Sequence, residues 1–215
     1  MTYIIRHSER LDFFDQELWR RTERFISNNK DPPITRRGVT IALDATLKVI
    51  SNINNIKEYQ YIYSSPFSRC IDTAIIIANT IDLRTGHKVK LRVDYALREM
   101  SPIPLQTLLD DRMKLEGILN KYAIHDQLFD KSYNPRATFD DTKKSALNPL
   151  SEIYRPLDTI ENINLIDKKS IICTHGLNLA SMHIKFPSDR VDQISESDKK
   201  TGKDLSSYCY TIRIN

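Results

Sequence analysis

Six residues in this 215-residue chain have the types and settings to do chemistry together: Arg6, His7, Arg10, Arg69, Glu99 and His175. Each lies past a short stretch that reads as a strand. "TYII" leads into Arg6, His7 and Arg10, and "YQYIYSS" leads to Arg69. "KVKLRVD" is followed by Glu99, and "KKSIICT" by His175 and Gly176. Guanidinium forks match phosphate oxygens two at a time, and a helix starting at Gly176 adds backbone N–H donors. An imidazole among arginines is held neutral and nucleophilic. A carboxyl group can protonate a departing alkoxide or phenoxide, provided it enters the reaction protonated. Phosphoryl transfer asks chiefly for positioning and charge stabilisation, to which each placed donor can contribute about 3 kcal/mol.

Singly, each residue has a plainer explanation: a satisfied core histidine for His7, a solvated charge for Glu99, a snorkelling surface arginine for Arg69. Arg69 resists it most. With Ser65 as N-cap and Pro66 at the first helical position, Arg69 falls in the first turn, where the helix dipole opposes a cation and an anion nearby would offset it.

The elements that must position these residues alternate. Strands are expected at 2–5, 59–65, 88–94, 168–174 and 206–214. A helix capped by Thr35 carries Ile41, Ala42, Ala45, Val49 and Ile50 at helical spacing. Further helices follow Ser65, span about 149–163, and run from Gly176 to about Lys185. That alternation predicts an α/β fold, three-layer α/β/α with a mainly parallel central sheet. Ligands of such sheets bind beyond the carboxyl ends of the strands, where all six residues lie. Residues 102–148 break the rhythm and read as a partly helical cap insertion within a single domain, 1–215. The polar stretch 189–205 reads as a surface loop.

Composition narrows the function. Hydrophobic residues make up 40% and charged residues 28%, ordinary globular values. The net charge of +4 is spread out, with no basic stripe to favour nucleic acid. Cys70, Cys173 and Cys209 form no CxxC or zinc pattern and read as buried free thiols. The five glycines build neither GxGxxG nor GxxxxGK, so no cofactor or metal is expected. No apolar run approaches the ~20 residues that span a bilayer, and charge at the N-terminus argues against a signal peptide. A cytoplasmic protein without membrane attachment is the expectation.

The motifs resemble those of the histidine phosphatase, or phosphoglycerate mutase-like, superfamily. "RHSER" is similar to its RHG motif, "PPITRRG" (32–38) to P-L-T-x-x-G, and "YSSPFSRCIDTA" (63–74) to S-S-P-x-x-R-x-x-x-T-A. "LREM" (97–100) resembles the acidic segment and "THG" (174–176) the second histidine motif. The resemblance implies His7 as the nucleophile forming a phosphohistidine. It implies Arg6, Arg69 and His175 as the phosphate holders, and Glu99 as proton donor and then base. "RHSER-LD" most resembles the branch of STS-type tyrosine phosphatases and insect ecdysteroid-phosphate phosphatases, where Arg10 also contacts phosphate. The implied activity is a metal-independent phosphomonoester hydrolase, acting on a phosphorylated small molecule or a phosphotyrosyl protein, and compatible with a homodimer. Trp19, Arg20, Arg21 and the cap insertion would line the pocket mouth.

One departure stands out: Ser8 replaces the motif glycine, and a side chain there can strain the turn or crowd the phosphate. This keeps open a second reading, a catalytically weak phosphate- or phosphoprotein-binding module. A phosphoglycerate-type mutase is the third, disfavoured by Arg10 and Phe13 where mutases carry Ser and Asn.

Overall fold

The computed structural model describes residues 1–99, 113–135, 149–185, 191–193 and 208–214. Among the described residues, six strands form one sheet: β1 (Thr2–Arg6), β2 (Tyr61–Ser64), β3 (Lys90–Val93), β4 (Ser170–Thr174), β5 (Val191–Gln193) and β6 (Thr211–Ile214), in the order β3-β2-β4-β1-β6-β5. β1 to β4 are mutually parallel, while β6 runs antiparallel to β1 and β5 antiparallel to β6.

The helices are α1 (Leu11–Phe14), α2 (Gln16–Arg20), α3 (Glu23–Ser27), α4 (Arg36–Ser51), α5 (Ser68–Thr85), α6 (Leu115–Lys121), α7 (Pro149–Ile166) and α8 (Gly176–Lys185). Both faces of the sheet are covered, so the central strands β1 and β4 are buried on both sides, while β3 at the edge alternates Lys90 and Arg92 with buried Leu91 and Val93. Tyr3 and Ile5 of β1 pack with Val49, Ile71 and Ala78 of α4 and α5. Ile4 between them points the other way, toward Leu157, Ile160, Leu179 and Met182 of α7 and α8. The α/β/α layering expected from the sequence is therefore present. Part of the expected insertion is described too: Ile118, Tyr122 and Phe129 join the core on the α5 side. Residues 102–112 and 136–148 lie outside the described residues.

Thr35 caps α4 as expected, its hydroxyl accepting from Gly38 N at 2.8 Å. Ser65 does not cap α5. That helix begins at Ser68 after Phe67, which offers no side-chain cap, and Asp31 does the work from a distant segment. Asp31 Oδ1 accepts from Ser68 N at 2.7 Å, and Oδ2 accepts from the Ser68 hydroxyl. Local pattern cannot report a cap supplied from 37 residues away. The expected loop 189–205 also needs correction, because Val191–Gln193 pairs with β6 as the sheet edge. A three-residue edge strand, Val-Asp-Gln, is too short to leave a period-two signal. The last strand is shorter than expected, preceded by Cys209 at φ +54°, the one non-glycine residue with positive φ among those described.

Candidate active site

Register brings the two histidines together. β1 and β4 are adjacent and parallel with Arg6 opposite Thr174, so the next residues, His7 and His175, emerge side by side. His7 N donates to Thr174 O at 2.9 Å. The rings stand 5.3 Å apart at 67°. β2 flanks β4 on the other side, and Ser65 N donates to Cys173 O at 3.1 Å. This places the Ser65 hydroxyl 2.8 Å from His175 Nε2. Arg69 follows in the first turn of α5, as the sequence implied. Glu99 arrives from beyond β3 through the short turn Tyr95–Leu97.

Arg69 is the hub. It is 1% exposed, stacked 4.4 Å from the Phe67 ring, and Phe67 packs edge-on against His175. Its Nη2 donates to Glu99 Oε2 at 2.6 Å and to His175 Nδ1 at 3.3 Å. Its Nη1 lies 3.9 Å from Asp31 Oδ1. Neither Nη1 nor Nε has a hydrogen-bond acceptor among the described residues, so two buried donors stand ready for an incoming oxyanion.

The hydrogen bonds assign the tautomers, since a guanidinium and a carbonyl have one role each. His175 Nδ1 must accept from Arg69, so its Nε2–H donates to Ser65 Oγ. His7 Nδ1 lies 2.8 Å from Ser8 O and must donate to it, which leaves His7 Nε2 with the lone pair. Burial, then the Arg69 charge, pushes both imidazoles well below the ordinary histidine range. Arg6 and Arg10 add to this at His7; His7 and Arg10 add to it at His175. Both rings are neutral at pH 7.

Arg6 is pulled below its usual pKa by burial, partly countered by Tyr208 and Glu99. Its guanidinium lies 5.1 Å from the Tyr208 ring. A Cβ on Gly176 would come within 3.1 Å of Arg6 Nε, so the glycine of "THG" makes room for the arginine of "RHSER". Arg10 is placed differently from expectation. It forms a two-pronged pair with Asp12 at 3.0 and 2.7 Å and covers the Phe13 ring at 4.2 Å. Its charge acts on both histidines, while its fork is engaged by its own neighbour.

Ser8 sits without positive φ, and its hydroxyl donates to Gly38 O at 2.6 Å. The strain anticipated for a serine in the motif is absent. The same contact explains "PPITRRG": Glu9 O accepts from Thr35 N at 2.9 Å, and Glu9 Oε1 accepts from Thr35 Oγ1 at 2.7 Å. A Cβ on Gly38 would meet Glu9 O at 3.0 Å, so that segment is the brace behind the nucleophile loop.

Sequence reasoning missed Ser65 and Asp31, although both lie in or beside motifs it quoted. Trp19, expected at the pocket mouth, is 2% exposed and stacked edge-on with Phe25; it is core. His87 Nε2 lies 2.9 Å from Tyr59 O, away from this cluster. All three cysteines are free and buried, with Cys70 Sγ 3.6 Å from His175 Nε2. Among the described residues, no three His, Cys, Asp or Glu side chains are grouped to hold a metal, and no helix is long and apolar enough to cross a membrane.

No curated protein sequence matches the chain. Among solved structures, the fold is similar to ecdysone phosphate phosphatase from Bombix mori in complex with tungstate: TM-score 0.65 and 18% identity, over 98% of this chain and 86% of that one. A mycobacterial glucosyl-3-phosphoglycerate phosphatase matches at TM-score 0.45 and 16% identity, over 100% and 96% of the two chains. The sequence model of the histidine phosphatase superfamily (branch 1) matches residues 2–184. With that match spanning both histidine motifs, the chain belongs to the histidine phosphatase superfamily.

Proposed function

We propose that this protein is a phosphomonoester hydrolase that works without a metal, through a phosphohistidine on His7. The observation that carries the reading is the His7 ring itself: neutral, with Nδ1–H held by the Ser8 carbonyl and the Nε2 lone pair left for attack, 5.3 Å from the His175 ring. Nε2 attacks phosphorus as the bond to the leaving oxygen breaks. Arg69 and Arg6, with His175, take the phosphoryl oxygens and balance their charge; Arg10 joins them on exchanging Asp12 for substrate. Glu99 gives its proton to the departing oxygen, then takes one from water. That water displaces His7 from phosphorus, returning inorganic phosphate and the neutral imidazole.

The choice of Glu99 over Asp31 follows from their partners. Asp31 is 7% exposed and already receives Ser68 N, the Ser68 hydroxyl and Lys121. Glu99 has a 30% exposed side chain and, among the described residues, one hydrogen-bond donor, Arg69. A carboxyl that must exchange protons with substrate and water needs that access. The substrate class is a phosphorylated small molecule or a phosphotyrosyl side chain.

The test is hydrolysis of p-nitrophenyl phosphate by wild type and His7→Ala, each with and without EDTA. Turnover that survives EDTA and vanishes in His7→Ala is the expected result. Full activity in His7→Ala would overturn the proposal.

A further inference from the structure

The backbone just before Glu99 is gripped from three elements. The Leu97 carbonyl accepts from Thr174 Oγ1 at 2.8 Å and Asn178 Nδ2 at 3.1 Å. The Arg98 carbonyl accepts from Asn178 Nδ2 at 3.0 Å and from both terminal nitrogens of Arg155 at 3.4 Å. Arg155 Nη1 also donates to the Ala96 carbonyl. Behind the turn, Asp94 Oδ1 accepts from Ala96 N at 2.9 Å, and Oδ2 accepts from the Tyr133 hydroxyl at 2.6 Å.

Three consecutive carbonyls taken by side chains exceed what a turn requires, since water or neighbouring backbone satisfies such groups readily. Asn178 is fully buried. Its Oδ1 has no hydrogen-bond partner among the described residues, while its Nδ2 faces the two carbonyls and Thr174 Oγ1 at 2.7 Å. A buried amide with a partnerless oxygen is kept for what its nitrogen holds.

We infer that Asn178, backed by Arg155, is a positioning residue that fixes Glu99 relative to the phosphate site. Asn178 lies three residues after His175, in the first turn of the helix that begins at Gly176, so its grip ties the proton donor to the strand–helix junction that carries the phosphate-binding imidazole. Displacing a reacting group by an ångström costs on the order of a hundredfold in rate, and a turn released from these bonds can drift that far. The inference rests on Glu99 being the proton donor proposed above.

The experiment compares kcat/KM for phenyl phosphate, whose leaving oxygen needs a proton, with 2,4-dinitrophenyl phosphate, whose leaving group departs without one. The enzymes are wild type, Glu99→Gln, Asn178→Ala and, because Asn178 is buried in the core, Arg155→Gln as a second probe of the same clamp. The ratio of the two constants does not depend on how much enzyme is folded. Asn178→Ala and Arg155→Gln are expected to lose activity on phenyl phosphate about tenfold or more beyond their loss on the activated ester, in the direction of Glu99→Gln. Equal losses on both substrates in the clamp variants, with a shifted ratio in Glu99→Gln, would overturn the inference. An unshifted ratio in Glu99→Gln would overturn the proton-donor reading beneath it instead.

Discussion

The Arg69 guanidinium holds the Glu99 carboxylate at 2.6 Å through the same Nη2 that reaches His175 at 3.3 Å. Glu99 therefore occupies Nη2, the one Arg69 nitrogen that the proposed phosphate would share with it, while Nε and Nη1 have no acceptor among the described residues. Under the proposed function, phosphate binding and release of Glu99 are one exchange: the anion displaces the carboxylate, which takes up a proton before giving it to the leaving oxygen.

That exchange makes Glu99→Gln act in opposite directions on binding and chemistry. Loss of the competing negative charge should tighten vanadate or phosphate binding by about tenfold. The kcat for phenyl phosphate should fall by about 10²- to 10⁴-fold. Calorimetric titration with vanadate and steady-state kinetics on one preparation check both. Weaker anion binding in the variant would contradict the displacement.

Ser65→Ala leaves His175 Nε2–H without its oxygen partner in a fully buried setting. The ring then has no reason to keep Nδ1 toward Arg69. The expected result is a stability loss of about 1–3 kcal/mol and a fall in kcat/KM larger than a fold-level change would give. NMR of the imidazole nitrogens reports the tautomer directly, and an unchanged spectrum would refute this assignment.

Stability should fall as pH drops below about 6.5. The folded state holds His7 and His175 neutral because their pKa values are lowered, whereas in the unfolded chain they take protons near pH 6.5. A depressed histidine pKa thus contributes stability above the unfolded value and loses it as pH falls toward the folded one. The slope is at most about 1.4 kcal/mol per pH unit for each imidazole. Urea unfolding at pH 7.5, 6.5 and 5.5 measures it, and His7→Asn should remove one imidazole's share. Hydrolysis should persist below pH 6.5, because the nucleophile is still unprotonated there.

Asp31→Ala strips one carboxylate from Ser68 N, the Ser68 hydroxyl and Lys121, and from its place 3.9 Å from Arg69 Nη1. Thermal unfolding should show about 1–3 kcal/mol of destabilisation from the lost cap and unpaired partners. KM should rise as Arg69 loses its backing. Asp31→Asn should recover part of the stability, because an amide oxygen still accepts from Ser68 N.

Ser8→Gly tests whether the departure from the motif weakens the enzyme. The serine is unstrained and donates to Gly38 O at 2.6 Å. The glycine variant should lose about 1 kcal/mol of stability and gain no activity on p-nitrophenyl phosphate. A large gain in turnover would revive the binding-module reading.

The sequence by itself determined the four parallel strands and the edge at which the site lies. Strand-like runs alternating with helices fix a parallel sheet, and the charged residues just past those runs emerge at the strands' carboxyl ends. Arg6, His7, Arg69, Glu99 and His175 were legible for that reason, and the family motifs sharpened it. Only the tertiary structure decided who touches whom. The pairing of β1 with β4 in register set the distance between His7 and His175. Ser65 passed from helix cap to imidazole partner because Asp31 capped α5 from another segment. Arg10 turned to Asp12, and Asn178 closed on the carbonyls before Glu99. Hydrogen bonds between residues 30 to 110 positions apart depend on where strands and helices are laid, and no local periodicity carries that information.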